Sequence, residues 1–103
     1  MTIDVRAAQG EVVKALAEPM RWRMVELLAR EELCVCHLVE ELGATQPLVS
    51  HHLKVLRAVG LVTSERYRQW VYYRLLPDAL EDLAQHLAGV TSAARTTTRR
   101  PCG

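Results

Sequence analysis

The sequence predicts a mainly α domain with its elements in the order α-α-α-α-β-β-α, and three observations carry the prediction. The 103 residues include no Phe, two Trp and three Tyr, so the core must come from Leu, Val, Ala and Met, a mixture that favours helices over a β-sandwich. Proline and glycine stand where helices should start and stop, at Pro19, Gly43, Pro47 and Gly60. Beyond Gly60 the apolar period drops to two for a pair of short runs, then returns to three and four. The length accommodates one core. A content of 50% hydrophobic and 24% charged residues is ordinary globular usage, which excludes a disordered chain.

Residues 6–17 read as the first helix, with Ala8, Val12 and Leu16 on one face, and Glu18-Pro19 ends it. The second starts at Pro19, where the missing N–H would have had no partner, and runs to about Arg30 with Met20, Met24, Leu27 and Leu28 inward. A short third helix runs from about Cys34 to Leu42, with Val35, Leu38, Val39 and Leu42 inward and Gly43 as its stop. Thr45 caps the fourth, Pro47 sits in its first turn, and Gly60 follows its end at Val59. At 100° per residue from Gln46, Leu48, Val49, Leu53, Val55, Leu56 and Val59 fill an arc from roughly 180° to 340°. Gln46, Pro47, Ser50, His51, Lys54, Arg57 and Ala58 fill the other, polar and cationic arc.

Leu61 to Arg66 and Trp70 to Leu75 then form a hairpin whose tip is Arg66-Tyr67-Arg68-Gln69. Pro77 opens the last helix, where Leu80, Leu83, Leu87 and Val90 make a narrow seam suited to a second copy of the chain. Thr91 to Gly103 is Thr-rich, basic and without apolar period, and reads as a flexible tail. The expected division is therefore a folded domain over 1–90 and a tail over 91–103 carrying Cys102.

Charge is segregated beneath a net +1: residues 44–74 hold five Lys/Arg against one acid, whereas residues 1–43 hold five against eight. No apolar run approaches the roughly 18 residues of a membrane span. The first residues lack a basic-then-apolar leader pattern, so a cytoplasmic protein that does not engage membranes is expected.

Two short helices joined at Gly43-Ala44-Thr45, the second with a cationic outer face, followed by a two-stranded hairpin, read as a winged helix-turn-helix. Double-stranded DNA is the expected partner. Gln46, Ser50 and His51 suit base edges, and Thr45 and Pro47 at the helix start belong to the same expected DNA-binding set. Lys54 and Arg57 suit phosphates, and Arg66 and Arg68 on the wing suit phosphate or minor groove. The plainer alternative is a solvated amphipathic helix, against which the hairpin and the charge segregation both argue. His52 falls inside the apolar arc and reads as a hydrogen-bonded, partly buried structural residue. No Ser/His/Asp arrangement, Gly-rich phosphate loop or paired-carboxylate cleft stands out, so no catalysis is expected.

Cys34-Val35-Cys36-His37 opens the third helix, where the helix dipole favours thiolate. Two thiolates select soft ions, although buried cysteines are also common as small core residues. Positions i and i+2 of a helix point about 200° apart, so one ion would hold both sulfurs only if the first turn unwound. That unwinding would disturb the helix packed against the DNA-reading one.

Glu32-Leu-Cys-Val-Cys-His-Leu38, Gln46-Pro-Leu-Val-Ser-His-His-Leu-Lys-Val-Leu56, Gly60-Leu-Val62 and Trp70-Val-Tyr-Tyr-Arg74 together resemble the ArsR/SmtB family of metal-sensing repressors over roughly residues 11–90. The resemblance implies a winged-helix homodimer that leaves its operator when a metalloid binds. It also implies that Cys34 and Cys36 are the paired thiolates, and that Gln46, Pro47, Ser50 and His51 read DNA. The chain departs from the pattern at Val39, where the enteric arsenic sensors have a third cysteine, and in lacking cysteine throughout residues 1–33, where the cadmium branch has them. It has Leu80 two residues after Asp78, where the zinc sensors have His, and Arg68 at the wing tip in place of Gly. Cys102 is then the remaining thiol able to complete a three-sulfur site, since the twelve residues from Val90 could extend about 40 Å. As(III) or Sb(III) is the expected effector, a pyramidal metalloid being satisfied by three thiolates. Cd(II), Pb(II) or Zn(II), with His37 as a fourth ligand, is the alternative, and a metal-free thiol redox switch is another. His86 reads as exposed or at an interface edge, and Trp22 and Trp70 as packing residues.

Overall fold

Residues 5–102, the part of the chain described by the computed structural model, run through α1 (Val5–Ala17), α2 (Pro19–Leu28), β1 (Leu33–Cys34), α3 (Val35–Leu42), α4 (Gln46–Ala58), β2 (Val62–Tyr67), β3 (Trp70–Leu75) and α5 (Asp78–Arg95). The first four residues of the expected folded domain and the last residue of the expected tail lie outside this range. The architecture is mainly α with a small wing, as the apolar periods imply. Glu18 caps α2, its carboxylate accepting the Arg21 N–H at 2.8 Å, and Pro19 occupies the first turn. Gly43, at φ +60, ends α3 in the left-handed region that a side chain disfavours. Thr45 caps α4, its hydroxyl accepting the Leu48 N–H at 3.4 Å.

The sheet has three strands rather than two, in the order β1-β3-β2, all antiparallel. In the unexpected β1, Leu33 pairs with Tyr73 and Cys34 with Tyr72. In the wing, Val62 to Tyr67 pairs residue for residue with Leu75 to Trp70, which leaves Arg68-Gln69 as a two-residue turn. Arg68 has φ +57 and is the one described non-glycine residue with positive φ. A positive first and negative second turn residue has the sign pattern of a type II′ turn, which matches the twist of a hairpin.

The core joins Val12 and Ala15 of α1, Met24, Val25, Leu27 and Leu28 of α2, Leu38 of α3, Val49, Leu53 and Leu56 of α4, and Leu33, Leu61 and Val62. Several expectations need correction. Leu48 is 40% exposed, because it lies at the edge of the calculated apolar arc and in the first turn; the buried arc is narrower and centred on Val49 and Leu56. Ala8 is exposed, one turn before the first core residue of α1. Trp22 and Trp70 are 52% and 47% exposed and do not fill the core. Helix α5 continues to Arg95, so the first part of the expected tail is helical; Ala93 and Ala94 favour helix more than their Thr neighbours oppose it. The apolar seam of α5 also divides. Leu80 and Leu83 pack against this chain's own core, whereas Leu87 and Val90 are more than half exposed. Among the described residues, no helix is long and apolar enough to cross a membrane.

Candidate effector site and nucleic-acid interface

Helix α4 presents its polar arc outward. Thr45, Gln46, Pro47, Ser50, His51, Lys54 and Arg57 are exposed, as are Arg66 and Arg68 on the wing, while Val49, His52, Leu53 and Leu56 face the core. The Arg68 guanidinium lies 5.4 Å from the Tyr67 ring centroid, within reach of a cation–π contact.

His52 is held from two sides. Arg21 Nη1 stands 3.1 Å from His52 Nδ1, and Glu18 Oε2 is 3.9 Å from Nε2. A guanidinium only donates, so Nδ1 accepts and the proton of the neutral ring sits on Nε2, toward the carboxylate. Arg21 also donates from Nε to the Ala15 carbonyl at 2.7 Å. One side chain thus ties the end of α1 and the start of α2 to the buried face of α4. Burial pushes the His52 pKa below its ordinary value; Glu18 opposes the shift, and Arg21 and His51 add to it. The structural role expected for this residue is what the geometry gives.

Cys34 is not a helical residue. With φ −87 and ψ 168 it is the extended N-cap of α3 and the last residue of β1. The 200° separation calculated for two helical positions therefore does not apply: the Cα atoms of Cys34 and Cys36 are 5.4 Å apart, and their sulfurs are bonded to each other. The expected unwinding of the first turn is unnecessary, because the chain enters the helix between the two cysteines. His37, at the third position of α3, accepts the Cys34 N–H on Nδ1 at 3.2 Å, and that nitrogen lies 3.3 Å from Cys34 Sγ. Ligand atoms of Cys34, Cys36 and His37 fall within 4.8 Å of one another, with Cys34 buried and Cys36 exposed. Cys102 is exposed, beyond the end of α5, and is not in this cluster.

The two cysteines open into a cleft of about 420 Å³. Its walls are Val35 and Val39 of α3, Gln46 at the start of α4, and Gln69, Trp70 and Val71 of the wing. Sequence reasoning found the cysteines and Gln46 but missed Trp70 and Val71 as part of the site. Their signal was two large apolar residues in a hairpin with only one face against the core.

A helix-turn-helix with its cationic face outward, a hairpin wing and a paired-sulfur cluster at the entry to the first of its two helices places this chain in the winged helix-turn-helix class. Residues 18–64 match the family described as bacterial regulatory protein, arsR family; the chain belongs to that family. It is similar to the arsenic resistance transcriptional regulator ArsR1 of Pseudomonas putida, with 47% identity over 83 residues, 80% of this chain and 65% of that protein. It is 47% identical over 72 residues to the transcriptional repressor SmtB of Mycobacterium tuberculosis, which covers 70% of this chain and 53% of that one. The chain thus matches about half to two thirds of the length of these relatives. An ArsR-like transcriptional regulator from Rhodococcus superposes with a TM-score of 0.80 at 27% identity, over 87% of this chain and 85% of that one. All three are named as transcriptional regulators or repressors, not as enzymes.

Proposed function

We propose that the chain is a DNA-binding transcriptional repressor, acting as a homodimer, which leaves its operator when As(III) or Sb(III) is bound by Cys34 and Cys36, with Cys102 as a third thiolate. The observation that carries this reading is the position of the sulfur pair: Cys34 and Cys36 share a cleft with Gln46 of α4 and with the wing. The names of relatives such as the P. putida regulator point the same way. Two soft thiolates fit a thiophilic metalloid and need no carboxylate or water ligand.

In this reading Gln46, Ser50 and His51 read base edges, while Lys54, Arg57, Arg66 and Arg68 neutralise phosphates. Thr45 and Pro47 fix the start of the reading helix. Coupling follows from connectivity. Cys34 stands opposite Tyr72 of the wing strand through β1, and α3 packs on α4, so displacing the Cys34 backbone moves both DNA-facing elements. The dimer contact is assigned to α1 and α5, supported by exposed Val13, Leu87 and Val90. The expected role of Leu80 and Leu83 becomes bracing α5 against its own subunit. The sulfur–sulfur bond of Cys34 and Cys36 favours, as a second reading, a thiol redox switch on the same residues.

A duplex selected by the protein from a random pool, titrated in parallel with arsenite, antimonite, Cd(II), Pb(II), Zn(II) and peroxide, separates these readings. Release by the trivalent metalloids at the lowest concentration supports the first. Release by peroxide alone would replace it with the second.

A further inference from the structure

We propose that Arg21 and His52 are positioning residues for DNA reading: the Arg21 guanidinium, shared between the Ala15 carbonyl and the His52 ring, fixes how the turn of α4 that carries Ser50 and His51 is presented to a duplex. The proposal rests on the reading of α4 as the DNA-facing helix and extends it to the groups behind that helix.

The contacts close a ring. Glu18, the N-cap of α2, accepts the Arg21 backbone N–H on Oε2 at 2.8 Å and holds the same oxygen 3.9 Å from His52 Nε2. The Arg21 side chain donates from Nε to the Ala15 carbonyl at 2.7 Å and from Nη1 to His52 Nδ1 at 3.1 Å. Ala15 lies in the last turn of α1, where the carbonyls have no partner inside the helix, so the guanidinium takes an acceptor that α1 leaves open. Three elements thus meet at one planar fork of donors. His52 is 7% exposed, whereas Ser50 and His51 are exposed, because successive helical positions turn by about 100°. The His51 and His52 ring centroids are only 5.4 Å apart. Displacing the His52 ring therefore rotates or tilts the reading turn.

Stability alone does not call for this arrangement. Replacing a buried polar network by well-packed apolar residues is often neutral or stabilising, and Val49, Leu53 and Leu56 already bury the same face of α4. What the network adds is direction: a hydrogen bond fixes an angle as well as a distance, whereas apolar burial is non-directional and tolerates a shifted helix. Because α1 is assigned to the dimer contact, the same bracket also sets one reading helix relative to the partner's, and with it the spacing of the two half-sites.

The arm to Arg21 exists only while the His52 ring is neutral. A proton taken up from solvent goes to Nδ1, where two donors and two positive charges then face each other, and Glu18 alone holds the ring from the other side. The charged and titratable groups around the ring are Glu18 and Arg21 from the α1–α2 corner and His51 beside it on α4. Burial lowers the His52 pKa, Glu18 opposes the shift, and Arg21 and His51 add to it. Discrimination between operator and random duplex is thus present above about pH 6.5 and lost as the pH falls through the lowered value.

The test uses the full-length protein and a duplex it selects from a random pool. It reads the ratio of affinities for that duplex and for random duplex, with circular dichroism checking the fold at each pH. His52→Leu, which keeps the packing, and Arg21→Met, which keeps the apolar stem, should each lower the ratio about tenfold at about pH 7.5 and leave random-duplex affinity within about twofold. His52→Gln, which still offers Arg21 an acceptor, should keep the ratio within about threefold of wild type. Between about pH 7.5 and 5.5 the wild-type ratio should fall about fivefold while that of His52→Gln stays level; His51 is present in both proteins, so its own contribution cancels. A wild-type ratio in folded His52→Leu, or equal slopes for wild type and His52→Gln, overturns the proposal while leaving α4 as the reading helix. Undiminished ratios in Ser50→Ala and His51→Ala overturn that reading itself.

Discussion

His52 and Arg68 show how single positions balance stability against role. The neutral form of His52 is the one the folded protein holds, with Nδ1 accepting from Arg21 and burial depressing its pKa. A group whose pKa is lowered by folding contributes stability that is fully present above its unfolded value, about 6.5. That contribution is lost as pH falls below 6.5 through the depressed value. Denaturant unfolding should therefore give stability that falls as the pH drops below about 6.5. The variant His52→Gln, which keeps an acceptor for Arg21 but does not titrate, should show a flatter profile. A wild-type profile no steeper than that of the variant would contradict the assignment. Arg68 carries a positive φ where glycine meets no steric cost. Arg68→Gly should raise hairpin stability by about 1 kcal/mol while weakening DNA binding and lowering its salt dependence, since the phosphate contact proposed for it is gone. Thermal melts and salt titrations of one variant measure the two opposed effects.

At the scale of elements, α4 separates reading from holding. Ser50→Ala and His51→Ala should reduce operator binding more than binding to random duplex, each by about 1–3 kcal/mol, whereas Lys54→Ala should reduce both and flatten the salt slope. Equal losses on both duplexes for all three would mean that the polar face is only electrostatic. For α3, Cys34→Ser and Cys36→Ser should each keep DNA binding and abolish release by arsenite, and Cys102→Ser should weaken release without abolishing it. Mobility-shift titrations distinguish the three.

Much of this level was legible in the sequence, because the signals are local and chemical. Gly43, Thr45 and Pro47 mark the turn, and the 100° rotation puts His52 inward. What escaped was β1. A strand of two residues is too short to show a period, and its existence depends on the distant pairing of Leu33 with Tyr73. Missing it put Cys34 inside the helix and made the two sulfurs look divergent. Trp70 escaped because a large aromatic is ordinarily a packing residue, and only the position of α3 shows that it faces a cleft. The last turns of α5 carry no apolar period that would mark its end at Arg95, because they have no buried residue.

At the scale of the molecule, the described chain measures 66 × 34 × 22 Å, and such elongation fits a body that leaves α5 unfinished. Leu87 and Val90 are exposed at 54% and 56% on that helix. Leu87→Glu with Val90→Glu should yield folded monomers with little operator affinity, because one short reading helix covers only a half-site. Sedimentation gives the mass, and tight operator binding by monomers would count against a dimeric repressor. Linkage adds a reciprocal expectation: an effector that weakens DNA binding must itself bind more weakly to the DNA complex, by the same factor.

The short strand β1 has a further consequence for how the protein behaves in solution. It covers the outer edge of β3 only at Tyr72 and Tyr73, and a strand edge left open is a template onto which another chain can add. Very short edge strands are one of the ways proteins blunt that hazard. In the proposed reading Cys34 thus joins two roles, supplying a sulfur to the effector and pairing with the edge of β3 at Tyr72. Any ligand that draws its backbone away from Tyr72 frees the hydrogen-bonding groups of β3 beside apolar Trp70 and Val71. Loss of colloidal stability should then track occupancy of the cysteine site.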